Sequence, residues 1–258
     1  MFEMETGHVL HMLLFNHNNA RIFYLFKLDL PVASKWKLFQ VLEENVEPHY
    51  IIERSEVGKC IIRQNENVLA ESTWIEPNHV QTFDDMLFRL CMRGAIKESV
   101  LHLHSSFVLY NDQAILFTGP SGIGKTTQAE LWRDYENAVI VNGDVTLIRK
   151  IEDMWRAFGA PIHGSSPYCE NMDAPIAAII VLKQAEENQL IQLDAFTALA
   201  ECFPEIYRPE MSDETREILL DTVDALLSEI PVYQLSCRPD RESVELVKQT
   251  LFDQKSEL

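Results

Sequence analysis

The stretch GPSGIGKTT, residues 119–127, follows the apolar run AILF at 114–117. It matches G-x-x-x-x-G-K-[ST] through Gly119, Gly124, Lys125 and Thr126, and its flanks predict a strand before it and a helix after it. That context commits the middle of the chain to a strand–loop–helix unit. Glycines let successive backbone N–H groups turn inward around an anion, and the helix that follows adds the positive end of its dipole. The phosphates of a nucleotide suit such a loop. Pro120, Ser121, Gly122, Ile123 and Thr127 complete the cradle, Lys125 can bridge the β- and γ-phosphates, and the Thr126 hydroxyl is placed to ligate Mg²⁺. ATP and Mg²⁺ are therefore the expected cofactors.

The loop alone does not separate kinases from other nucleotide hydrolases, so a second acidic element matters. Asp144 follows the strand-like AVIVN and Gly143, nineteen positions after Lys125. One helix and one strand of that length bring its carboxylate back beside the phosphates, at the edge of a neighbouring strand. There it can hold Mg²⁺ or take a proton from an incoming hydroxyl. An Asx turn in Gly143-Asp144 is the structural alternative. His104 lies fifteen residues before Gly119 in LHLHSSFVLY. On an alternating strand His102 is an equal candidate for the inward position.

Composition narrows the partners. Lys and Arg total 22 against 40 Asp and Glu, a net charge of −18, which argues against nucleic acid as a general partner. The apolar run VLHMLLF at 9–15 is too short to span a bilayer, so no membrane partner is expected. Five scattered cysteines with no C-x-x-C pair read as reduced packing thiols of a cytoplasmic protein.

A chain of 258 residues has room for two domains. Residues 1–99 read as a small α+β unit, with helical spacing in KWKLFQVLEEN (35–45). A further helical face runs through Phe83, Met86, Leu87, Leu90 and Cys91, where Thr82 is a candidate cap. Residues 100–258 read as an α/β domain. Its strands are LHLHSSFVLY, AILFT, AVIVN, VTLIRK, MWRAF, PIAAIIVL, LIQL and VYQLS, and its helices follow the loop and lie at 194–203, 213–229 and 240–252.

The segment from His104 to Ile148 resembles the catalytic domain of the HPr serine kinase/phosphorylase family. That family pairs an upstream histidine with a G-x-S-G-x-G-K-[ST] loop and an acidic strand end. Here Gly119, Ser121, Gly122, Gly124, Lys125 and Thr126 match the loop. The layout also looks like that of the small kinases of modified-peptide gene clusters. The resemblance implies a P-loop fold of the phosphoenolpyruvate carboxykinase type with a mixed sheet, and His104 rather than His102 near the γ-phosphate. It implies Asp144 and Lys125 as catalytic groups, a hydroxyl-bearing acceptor such as serine on a peptide, protein or small molecule, and a homo-oligomer.

The chain departs from the family at Gly143, where the family's enzymes usually carry a second acid, and it lacks their longer glycine-containing signature after Gly159. HPr is therefore a poor expectation for the acceptor. Arg149, Arg156 and Arg208 are candidate charge donors to a transferring phosphoryl group, and GSSPYCEN (164–171) reads as a loop beside the site. Two alternatives stand beside this reading. A kinase of shikimate or adenylylsulfate type shares the G-K-T-T wording, although 118 residues precede the loop here. The other is a regulatory module that binds ATP without transferring phosphate.

Overall fold

Two compact units divide the chain, Met1–Cys91 and Met92–Leu258. The computed structural model describes residues 95–160, 163–209 and 211–253 with their side chains, together with the backbone of seven strands between Phe2 and Thr73. In the first unit β1 (Phe2–Met4), β4 (Lys35–Leu38), β5 (Tyr50–Arg54), β6 (Lys59–Gln64) and β7 (Asn67–Thr73) form an antiparallel sheet in the order β1-β4-β5-β6-β7. The strands β2 (Met12–His17) and β3 (Ala20–Leu25) pair with each other. Lys35–Leu38 is thus strand where a helix over 35–45 was expected. The alternation of Lys35, Trp36, Lys37 and Leu38 also satisfies a period of two, and pairing with β1 on one side and β5 on the other decides the outcome. The rest of that segment and the helix expected around 82–91 lie outside the described residues.

The second unit is a mixed α/β assembly. Its strands are β8 (Leu101–Tyr110), β9 (Gln113–Thr118), β10 (Val139–Asn142), β11 (Val145–Ile151), β12 (Met154–Gly159), β13 (Asp173–Gln184), β14 (Gln189–Gln192) and β15 (Val232–Cys237). Long strands β8 and β13 each serve two neighbourhoods. β8 pairs with β11 through residues 101–104 and with β9 through residues 105–110. β13 pairs with β12 through 173–175, then runs parallel to β9 and β15. Two-residue turns close the hairpins β8–β9 and β11–β12. Asn111 and Asp112, and likewise Glu152 and Asp153, take left-handed conformations, and asparagine and aspartate tolerate these best among residues with a side chain.

Helices cover both faces: α1 (Lys125–Glu136), α2 (Ala195–Cys202), α3 (Asp213–Glu229) and α4 (Arg241–Lys248). Strand β9 shows why the sheet must be covered twice. Ala114 and Leu116 join the core cluster that includes Leu219, Val223 and Leu226 of α3, while Ile115 and Phe117 join the cluster built with Trp132 of α1 and Val244 and Val247 of α4. Successive residues of a central strand point to opposite faces, so a continuous apolar run is what a doubly covered strand requires. Three of these four helices have their starts capped by the residue before them. Asp194, Ser212 and Asp240 accept backbone N–H groups at the heads of α2, α3 and α4. Among the described residues no helix is long and apolar enough to cross a membrane.

This packing sets the site. Parallel strands β9, β13 and β15 end at one edge of the sheet, and the glycine loop leaves from the end of β9. Phe117, fully buried two residues before Gly119, anchors that exit. Phe117→Ala should lower stability to urea by about 3–5 kcal/mol, the usual cost of emptying a buried aromatic site. A far-UV circular dichroism titration checks it, and an unchanged midpoint would contradict the packing described.

Candidate functional site

The loop from Gly119 to Gly124 runs between β9 and α1. Gly119, Gly122 and Gly124 have φ of 137°, 80° and 116°, so three of its turns need conformations that side chains rarely adopt. Gly124 heads α1 without a side-chain cap, and the first turn carries no acidic residue, which leaves its N–H groups and the helix dipole for an anion. The Lys125 ammonium is buried and donates to the carbonyls of Gly119 at 2.8 Å and Pro120 at 3.3 Å, lying back across the loop. Burial holds it below its ordinary pKa, against the pull of the Glu205 and Asp144 carboxylates.

Asn142-Gly143-Asp144 forms the turn between β10 and β11. The Asx turn belongs to Asn142, whose Oδ1 accepts the backbone N–H groups of Asp144 and Val145, both at 2.9 Å. Its amide group donates to the Ala160 carbonyl at 2.7 Å. The Asp144 carboxylate is left to face the site. Gly143 connects everything around it: its carbonyl accepts from Thr126 Oγ1 at 3.2 Å and from Ser106 Oγ at 2.9 Å.

Position 143 has no room for a side chain. A Cβ there would stand 1.9 Å from Ser166 Oγ and 2.5 Å from Ser166 Cβ. No acid fits at 143 while the 163–170 loop lies where it does. A Cβ on Gly164 would stand 2.4 Å from Asp144 Oδ2, so this loop crosses directly over the carboxylate. Tyr168 ties the loop to α1, donating to Glu130 at 2.9 Å and accepting from Arg133.

His104, on the same face of β8 as His102, is the histidine that reaches Asp144. Its Nε2 lies 3.2 Å from Asp144 Oδ1, and its Nδ1 lies 2.8 Å from Glu205 Oε2. The hydrogen bond to Asp144 raises the imidazole pKa, and Glu205 adds to it against burial and Lys125. The same bond to His104 holds the Asp144 carboxyl below its usual range despite burial, with His104, Lys125 and His102 adding charge in the same direction. The structure therefore brings His104, Lys125, Thr126 and Asp144 together around the loop.

Glu205 is the member that sequence reading did not find. It closes a 3-10 turn, Phe203–Glu205, far along the chain, and its only signal is an acid set among the apolar residues of CFPEIY. The three arginines are engaged elsewhere. Arg149 pairs with Glu98 at 4.0 Å, Arg156 with Asp173, and Arg208 lies over the Phe203 ring at 4.4 Å.

One carboxylate from Asp144 and one hydroxyl from Thr126, joined through Gly143, are hard oxygen donors of the kind Mg²⁺ takes together with phosphate oxygens and water. Among the described residues no group of three or more His, Cys, Asp or Glu side chains forms a cage for a metal by itself. On the other side of the loop a cleft of about 340 Å³ is lined by Gly122, Gly124, Thr127, Lys183, Gln184 and Arg238, at the ends of β13 and β15. Burial holds the Cys237 thiol in this cleft up at about 11, and that of Cys202 in the core at about 12, so both are protonated packing groups.

No family model and no curated protein matches this chain. Among solved structures its backbone is similar to "Structure of the Hpr(Ser) kinase/phosphatase from Coxiella burnetii", with 17% identity, over 60% of this chain and 89% of that one, at a TM-score of 0.36. This is a distant likeness of fold, a mixed sheet with helices, and the chemistry below is drawn from the residues themselves.

Two measurements test the geometry. Gly143→Ala should cost about 1–3 kcal/mol through the clash with Ser166, and Ser166→Gly in the same chain should restore most of it. Thermal melts of both variants decide, and a Gly143→Ala protein as stable as the parent would refute the contact. The His104–Asp144 pair also gives stability a pH dependence. The raised imidazole pKa makes its share complete below the ordinary histidine value and lost as pH rises through the folded value. The lowered carboxyl pKa makes its share present above the ordinary aspartate value and lost as pH falls through the folded one. The melting-temperature gap between the parent and His104→Gln should thus be widest between about pH 4 and 6.5 and shrink on either side. A gap independent of pH would contradict the pairing.

Proposed function

We propose that this chain is an ATP- and Mg²⁺-dependent phosphotransferase that moves the γ-phosphate to a hydroxyl, with serine of a peptide or protein, or a small alcohol, as the acceptor class. One observation carries the reading. The Asp144 carboxylate lies 3.2 Å from His104 Nε2 and stands at the strand end whose preceding residue binds Thr126 of the glycine loop. A plain anion grip has no use for a carboxylate oriented by a histidine at its rim.

Each residue has a task. The loop N–H groups from Gly119 to Gly124 and the head of α1 hold the phosphate chain, and Lys125 moves from its carbonyl contacts to the β/γ-phosphates. Thr126 and Asp144 would hold Mg²⁺, which when bound neutralises charge on the phosphate oxygens. Asp144 takes the proton of the acceptor hydroxyl as its oxygen forms a bond to the γ-phosphorus and the bond to the β-phosphate oxygen breaks, releasing ADP. The imidazole of His104 orients that carboxylate. The loop over Asp144, with Gly164 against the carboxylate, bounds the path by which an acceptor arrives. The cleft beside Thr127 and Arg238 takes the nucleoside end of ATP.

Lys125→Ala should lower phosphate transfer from labelled ATP at least about a hundredfold while leaving the far-UV spectrum and melting transition in place. Transfer to a pool of hydroxyl acceptors, with water as the default acceptor, is the measurement. Full transfer by that variant would sink the assignment. Binding of ATP by the parent with no transfer to any acceptor would instead make the chain a nucleotide-sensing module.

A further inference from the structure

Glu205 neither grips phosphate nor sits at the strand end, yet its carboxylate is set deep beside the site. Its side chain is 13% exposed, and its Oε2 is closer to His104 than Asp144 is, 2.8 Å against 3.2 Å. Burying a carboxylate is costly unless it is hydrogen-bonded, so this placement calls for a partner that justifies it. The backbone supplies the reason it is steady. Leu103 bridges to Ile206, and the Tyr207 N–H donates to the His102 carbonyl at 2.9 Å, so the residues just after Glu205 are pinned to the residues just before His104. Pro204 lies within the turn, and the Ile206 N–H closes it on the Phe203 carbonyl at 3.2 Å. Carboxylate and imidazole therefore share one frame.

An imidazole turns about two side-chain bonds, and a single contact at Nε2 leaves the ring free to swing about it. A second contact at Nδ1 removes that freedom, and it also determines which nitrogen faces Asp144. We propose that Glu205 is a positioning residue of the transfer site: by accepting from His104 Nδ1 it locks the ring with Nε2 against Asp144 and so aims the Asp144 carboxylate at the acceptor hydroxyl. The inference rests on the reading of Asp144 as proton acceptor. It goes beyond that reading in giving the site a third carboxylate–imidazole member from a distant part of the chain. Lys125, Asp144 and Glu205 are the charged groups that act on His104, and Glu205 also acts on Lys125. The competing role for Glu205 is a purely electrostatic one toward that ammonium.

Two conservative variants separate reach from charge. Glu205→Gln keeps an amide oxygen at the right distance for Nδ1 and removes the charge, whereas Glu205→Asp keeps the charge and withdraws it by one methylene. Positioning predicts that Glu205→Gln retains transfer to within about threefold, while Glu205→Asp loses about tenfold to a hundredfold in kcat with KM for ATP changed less than about twofold. Charge on Lys125 predicts the reverse ranking, with the loss in KM, and that result would overturn the proposal. Crystal structures of both variants give a readout that needs no activity. The His104 Nε2–Asp144 Oδ1 contact should persist in Glu205→Gln and be lost in Glu205→Asp, and a ring that stays in place in Glu205→Asp overturns the proposal while leaving the transferase reading intact. A parent protein that binds Mg-ATP and transfers to no acceptor overturns the transferase reading, and the catalytic consequence of Glu205 with it.

Discussion

The carbonyl of Gly143 is the point on which the site depends. Thr126 from the head of α1 and Ser106 from β8 both donate to it, so the helix that follows the glycine loop, the strand bearing His104 and the turn bearing Asp144 meet at one backbone atom. Each bond is worth on the order of 1 kcal/mol net, but the alternative is a buried hydroxyl of Ser106 without a partner, which costs more. The arrangement is therefore favoured by what its loss would leave behind. It also explains why residue 143 carries no side chain: its α-face is taken by Ser166, and the loop that supplies Ser166 is the one that crosses Asp144. A side chain at 143 and a close-fitting loop compete for the same space, and here the loop has it.

Much of this was legible in the sequence because the signals are local. The glycine loop, the helix after it, Asn111-Asp112 as a turn, and the helices near 194–203, 213–229 and 240–252 depend on residues within a few positions of each other. The continuous apolar run in AILFT and PIAAIIVL marks strands covered on both faces. Where the local signal had two solutions it misled: Lys35–Leu38 alternates as a strand and fits a helix face equally well, and pairing partners on both sides settled it. The choice between His102 and His104 was likewise open to spacing, because the two residues share one face of β8.

The site's less legible parts depend on long-range topology. Glu205 reaches His104 only because Ile206 bridges to Leu103, a contact that no periodicity in CFPEIYRP announces. The assignment of the Asx turn to Asn142 rather than Asp144 followed from hydrogen bonds that sequence order leaves ambiguous. The arginines are placed by long-range pairing as well. Arg149 and Arg156 face each other across β11 and β12, and their pairing with Glu98 and Asp173 is set by strand register, which decides where every side chain on those strands goes.

The division of charge around His104 follows from the same constraint at Gly143. Two adjacent carboxylates at a strand end repel each other, and one of them is driven toward protonation unless a metal holds both. Moving the second carboxylate to the far side of an imidazole removes that conflict. The ring lies between Asp144 and Glu205 and contacts both, one at each nitrogen, which keeps the two carboxylates apart. The hydrogen bond with His104 holds the Asp144 carboxyl below its usual range, and Lys125 acts in the same direction. A site with one acid at the strand end and a second behind the histidine can therefore hold a carboxylate beside the glycine loop while yielding position 143 to the loop that crosses it.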